Sequence, residues 1–110
     1  MMRPALSTAA AGLLRSLLAR AGIDRDRILL TEFRSVDWQS LTFIGERHEI
    51  SLRLPARDSA SLVARLADRL EDVEWNIPGQ IVADIALDGS PIETADGSVI
   101  LNIEALTIAE

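Results

Sequence analysis

Cysteine, lysine and tyrosine are all missing from this 110-residue chain, and histidine occurs once. Without cysteine there is neither a disulfide framework nor a thiolate metal site, and a reducing cytoplasm, that of a bacterium, is the simplest compartment. All 11 basic side chains are therefore arginine, a usage that reads as the coding bias of a G+C-rich bacterial genome. A metal centre needs three or four ligands, and one histidine among scattered carboxylates is no such pattern. No serine or threonine sits in a nucleophile elbow, and no glycine-rich loop is spaced to cradle a phosphate. The residues thus point to no catalytic group, no metal and no cofactor.

Long hydrophobic runs are absent as well. The apolar stretch from Ala5 to Leu14 is broken by Arg15 and falls far short of the roughly 20 residues that span a bilayer. It lacks a small-residue cleavage site, so it is expected to be a helix of the mature, soluble protein rather than a leader, with no membrane partner. A chain of this length fits one domain, residues 1–110, able to hide about two thirds of its unfolded surface.

The net charge of -6 argues against stable nucleic-acid binding, which draws its affinity from basic groups that neutralise phosphates. The distribution says more than the total. Residues 1–69 hold all 11 arginines and 8 acids, whereas residues 70–110 hold 9 acids and no base. The two halves either pair within one sheet, or they meet between copies head to tail, which generates rings when the rotation closes.

Pro4 suits the first turn of a helix, Leu6, Ala10, Leu13, Leu14, Leu17, Leu18 and Ala21 follow helical spacing, and Gly22 offers a stop. A second helix opens at Asp58 or Ser59 and runs through an apolar stripe of Leu62, Val63, Leu66, Leu70 and Val73, opposite Arg65, Asp68, Arg69 and Asp72. Between and after the helices the period changes to two. Ile28 to Val36 and Leu41 to Leu54 form one predicted hairpin, and Gln80 to Leu87 with Ser98 to Ile108 form another. Ile77-Pro78-Gly79-Gln80 reads as a type II turn into the second. Asp88-Gly89 and Asp96-Gly97 are both turn signals, compatible with a long bulged hairpin or with a wide loop. The expected fold is α+β, ordered αββαββ, with a four-stranded antiparallel sheet and both helices on one face. A duplicated αββ unit is compatible with this order, without residue identity to support it.

The lone His48 shares a strand face with Ile50, Leu52 and Leu54 and is expected to be structural, at the margin of the sheet. Leu41 and Phe43 are out of phase with Ile50, which predicts a bulge near Gly45. In the second hairpin Ile81, Ala83, Ile85 and Leu87 match Val99, Leu101, Ile103 and Ala105 as a core surface. The opposite face mixes Val82, Asp84 and Ala86 with Ile100, Asn102, Glu104, Leu106 and Ile108, a composition suited to contact with a partner. Arg47 and Arg53 of the first hairpin are candidates to pair there with Asp84 or Glu104, or with a neighbouring subunit. These seven, Arg47, Arg53, Asp84, Asn102, Glu104, Leu106 and Ile108, make the candidate oligomer or partner surface.

Taken together, Trp38, Thr42, Gly45, His48 and Leu52 follow the spacing W-x3-T-x2-G-x2-H-x3-L, a leucine-rich helix comes next, and then I-P-G-Q-I-V and a terminal strand ending in EALTIAE. Over residues 26–110 this resembles the tail-completion, or tail-terminator, proteins of long-tailed bacteriophages and gene transfer agents. The resemblance implies a non-enzymatic ring of identical copies, incorporated in a phage-like particle, whose partners are tail-tube and head-connector proteins. It makes Trp38, Thr42, Gly45 and His48 structural members of the first hairpin. Many members carry an aromatic residue where this chain has Arg53-Leu54-Pro55. The competing expectation is a small dimeric regulatory or ligand-binding module of a bacterial complex; in the version with a pocket, an enzyme or a ligand-binding domain, Glu46 and His48 stand around it with Asp84 or Glu104.

Overall fold

The computed structural model describes residues 6–22 and 27–110. The first helix, α1, spans Thr8–Ala21. Ser7 caps it, its hydroxyl accepting from the Ala10 N–H at 3.1 Å and satisfying one of the free donors at the helix start. Pro4 lies outside the described residues. Gly22 ends the helix in the left-handed region at φ 69°, which glycine adopts without strain. Leu13, Leu17 and Ala21 face inward and are fully buried, so α1 packs on its own sheet.

The second helix, α2, covers Ser59–Ala67, shorter than the stripe predicts. Arg69 turns left-handed at φ 50° and a 3-10 turn, Leu70–Asp72, follows. The early stop has a visible cause. The Arg20 guanidinium at the end of α1 donates to the carbonyls of Arg65 and Asp68 at 3.1 and 2.6 Å. In return Arg65 donates to the Ala21 carbonyl at 3.0 Å. Each helix thus supplies the cation that satisfies the other's free C-terminal carbonyls. Leu70 still reaches the core beyond the break.

Among the described residues there are five strands rather than four, in one antiparallel sheet: β1 (Leu29–Gln39), β2 (Ile44–Leu54), β3 (Gln80–Leu87), β4 (Ile92–Glu93) and β5 (Val99–Ala109). Their order is β1-β2-β5-β3, with β4 pairing β5 beyond the end of β3. The α+β class and the order of helices and hairpins hold, and the fifth strand resolves the two turn signals. After Asp88-Gly89 the chain returns to β5 for two residues, Ile92 and Glu93, and then reverses tightly between Thr94 and Ser98. Entry into β3 uses the predicted turn, with Gln80 N–H donating to the Ile77 carbonyl at 3.0 Å and Gly79 at φ 75°.

The core lies between the helices and one sheet face. Ile50, Leu52 and Leu54 of β2, Leu101, Ile103 and Ala105 of β5, and Ile85 of β3 meet Leu13, Leu17, Leu62 and Leu66. Full burial of each leucine contributes about 1.5–3 kcal/mol against its exposed state.

Two register shifts correct the sequence-based phases. In β1 the irregularity falls between Leu30 and Glu32, whereas pairing through Gly45 is regular and Leu41 and Phe43 belong to the turn. In β3 the shift falls between Val82 and Asp84. It reverses the alternation, because the extra residue, Ala83, moves everything before it to the other side. Val82 therefore packs against the core while Ile81 and Ala83 are exposed, the opposite of the predicted faces.

Candidate functional site

His48 lies at the interior of the sheet rather than at its margin. Its exposure is 0%, because β2 is flanked by β1 and β5 and the residue takes the face that the helices cover. Ser35 stands opposite it on β1 and Ala105 on β5. The Ser35 hydroxyl lies 2.7 Å from Nδ1 and the Thr107 hydroxyl 2.8 Å from Nε2. Phe33 meets the ring edge-on at a centroid distance of 5.9 Å. Both nitrogens are thus engaged, one as donor and one as acceptor in the neutral ring. Burial draws the imidazole pKa below its ordinary value, opposed by the carboxylate of Glu46 on the same face. The arrangement joins β1, β2 and β5 through one ring.

Gly45 answers a different demand from the predicted bend. A Cβ at this position would lie 1.9 Å from the Thr107 carbonyl oxygen, so only glycine lets β5 approach this closely. Trp38 is its partner across the β1–β2 ladder, and Thr42 lies in the turn between these strands.

The outer face is the side that the helices leave open. Cross-strand rows there read Trp38, Gly45, Ile108 and Ile81; then Val36, Arg47, Leu106 and Asp84; then Arg34, Glu49, Glu104 and Ala86; then Glu32, Ser51 and Asn102. Arg47, Asn102, Glu104, Leu106, Ile108 and Asp84 therefore do share one surface. Arg47 pairs with Glu104 at 3.7 Å and Arg34 with Glu49 at 4.0 Å. These two bridges flank a repulsive contact, since Glu49 and Glu104 are directly opposite on β2 and β5. Exposed as they are, each bridge adds at most about 1 kcal/mol. Ser51 donates to the Asn102 side-chain oxygen at 2.6 Å.

Arg53 is drawn elsewhere. It reaches Asp96 at 2.9 Å and the Ser98 hydroxyl at 2.9 Å, at the β4–β5 turn. Hydrogen bonds from Ser98 and Thr94, helped by Arg53, hold the Asp96 carboxyl well below the usual carboxylate range. Among the described residues Asp84 makes no ion pair.

The two most exposed large apolar groups, Leu41 and Ile44, stand close together where sequence reasoning did not look. β1 is an edge strand of 11 residues with most of its length exposed. The turn that follows carries Leu41 fully exposed and Phe43 more than half exposed, and β2 opens on Ile44, which is also more than half exposed. At the same end of the sheet Val36 and Ile81 on the outer face are 49% and 50% exposed. The sequence signal was present in the apolar residues on either side of Thr42, but the expected bulge assigned them to a buried strand.

Among the described residues no three histidine or acidic side chains cluster as metal ligands, and no helix is long and apolar enough to cross a membrane. No family model, curated protein or solved structure matches the chain.

Proposed function

We propose that the chain is a non-enzymatic assembly protein that associates with copies of itself into a ring and, like the tail-terminator proteins it resembles, closes a phage-like tail tube and joins it to a head connector. The observation that carries this reading is β1. A long edge strand with unpaired backbone groups is a template for another strand, and folded proteins usually shorten it, cover it or load it with charge. Here it carries three charges, Glu32, Arg34 and Asp37, but is 11 residues long and uncovered, and it leads into a turn with Leu41 and Phe43 exposed, followed by the exposed Ile44 at the start of β2. Apolar groups displayed together on a surface mark contact sites.

His48 supports the same reading from the other side, since a ring with 0% exposure and both nitrogens bonded is arranged to hold strands rather than to meet a substrate. The acidic second half suits a ring through which DNA slides, because negative charge does not retain phosphates.

The test is light scattering of the purified chain across concentration, alone and with phage tail-tube protein. Ring-sized particles, or particles that form on addition of tube protein, are the expected result. A strict monomer that also ignores tube protein overturns the proposal.

A further inference from the structure

The sheet has two free edges on opposite sides, β1 and β3, because its order is β1-β2-β5-β3. All neighbours in that order are antiparallel, so β1 and β3 run in opposite directions. A second copy in the same orientation, set beside the first, therefore brings its β1 antiparallel to the first copy's β3. No subunit has to be turned over. Among the described residues no loop backbone bonds to β1, or to β3 from Ile81 to Leu87, beyond their ladders, and the 3-10 turn Leu70–Asp72 packs beside β3 only at its Ala86–Leu87 end.

We propose that these two edges join between copies, β3 of one chain pairing with β1 of the next, with Asp84 opposite Arg34 and Ile81 opposite Val36. This rests on the assembly reading above and specifies its interface. The register follows from matching faces. Asp84 and Arg34 both lie on the outer face, through Leu106 and Glu49 respectively. One residue on, Ile85 meets Phe33 on the core side, and Ala86 meets Glu32 outside. In the other direction the extra residue in β3, Ala83, returns Ile81 to the outer face, where it meets Val36. Both are about half exposed, 50% and 49%. Past Glu32 the irregularity in β1 brings Leu30 opposite Leu87, both on the core side.

The two bulges are thus both accommodated, and Ile81, Ile85 and Leu87 each find an apolar partner. Moving the register by two residues puts Glu32 or Val36 across from Asp84 and loses the charge match.

Charge favours a second copy as the occupant. Residues 1–69 carry every arginine, and residues 70–110 carry nine acids and no base. Edge-to-edge pairing of β3 with β3 sets two acidic halves together, whereas β3 with β1 sets Asp84, the one charge of β3, against Arg34, the one arginine of β1, with the acids of β1 at Glu32 and Asp37 to either side. The contact is heterologous, so it closes into a ring when the rotation between copies divides the circle.

The absence of cysteine makes the test clean. Within one chain β1 and β3 are three strand spacings apart, about 14 Å, beyond the Cα separation of about 4.4–6.8 Å that a disulfide spans. The double variant Val36→Cys/Ile81→Cys, oxidised and run without reductant, is expected to give a ladder of covalent oligomers, and each single variant to stay monomeric on the gel. In parallel, Arg34→Asp or Asp84→Arg alone is expected to weaken association about five- to tenfold, and the two together to restore it. Both residues are exposed, so circular dichroism matching that of the wild type confirms folding.

Association that persists with no ladder and no response to the charge swaps overturns this interface while leaving assembly intact. A mass that stops at a dimer, or cross-linking by either single variant, shows a two-fold contact instead and also overturns it. A wild-type monomer that ignores tube protein removes both the interface and the reading it rests on.

Discussion

Adding one methyl group at position 45 tests how closely β2 and β5 must approach. A Cβ there would sit 1.9 Å from the Thr107 carbonyl oxygen, 3.0 Å from its carbon and 3.1 Å from the Ile108 Cα. A carbon–oxygen contact needs about 3.3 Å, and every clashing atom is backbone, so no rotamer change relieves it. Either β5 moves away, stretching the ladder at Gly45–Ile108 and Glu46–Thr107 and drawing the Thr107 hydroxyl off His48, or the start of β2 peels from the sheet. Losing two ladder bonds and the buried His48–Thr107 bond at about 1 kcal/mol each gives ~3 kcal/mol, at the upper end of ordinary overpacking costs. In a domain of this size that corresponds to a fall in Tm of about 10–15 °C for Gly45→Ala. The comparator is Gly79→Ala, whose Cβ meets nothing within 4 Å but whose φ is 75°; it is expected to cost only ~1 kcal/mol, for backbone strain. Thermal unfolding followed by circular dichroism, with urea unfolding followed by tryptophan fluorescence, separates the two. A Gly45→Ala midpoint within about 2 °C of wild type refutes the reasoning about close approach.

Three further outcomes follow from the buried network and the helix ends. Because burial lowers the pKa of His48 in the fold, the unfolded chain binds more protons below about pH 6.5, so stability is complete above that value and falls as pH drops through the window beneath it, by at most ~1.4 kcal/mol per pH unit. Urea midpoints between pH 5 and 7 are expected to show this slope in the wild type and to lose it in His48→Gln; a slope that survives the substitution contradicts the assignment. Thr107→Val removes the partner of a buried ring nitrogen and is expected to cost about 1–3 kcal/mol in urea unfolding, more than Ser35→Ala at the exposed end of the same network, and equal costs count against the burial argument. Arg20→Ala frees the Arg65 and Asp68 carbonyls and is expected to cost ~1–2 kcal/mol, with faster amide exchange confined to the end of α2; unchanged exchange there shows that the reciprocal clamp does not hold the helix end.

How much of this was legible in the residues differs by element. The helices and the four long strands were readable because their periods are strong, as with Leu13, Leu17 and Ala21 or Ile50, Leu52 and Leu54. The end of α2 was not, because Leu66 and Leu70 keep helical spacing across a break set by Arg20, which is far away in the chain. The faces of β3 were misread at Ile81 and Val82 because one extra residue inverts an alternating pattern without altering composition. His48 was readable as core-facing from its own strand, but Ser35 and Thr107 became its partners only through the pairing of β1 and β5 with β2, which no local signal encodes. The outer-face surface was legible in part: Arg47 and Glu104 do pair, while Arg53 turns to Asp96 because Ser98 and Asp96 lie within reach at the β4–β5 turn.

Light scattering of the untagged chain, from low to high concentration and with phage tail-tube protein present, bears most directly on whether this protein works by joining copies of itself. The expected mass exceeds the 12.0 kDa of one chain, grows past a dimer and settles at a fixed multiple. A value fixed at 12.0 kDa under every condition contradicts the account.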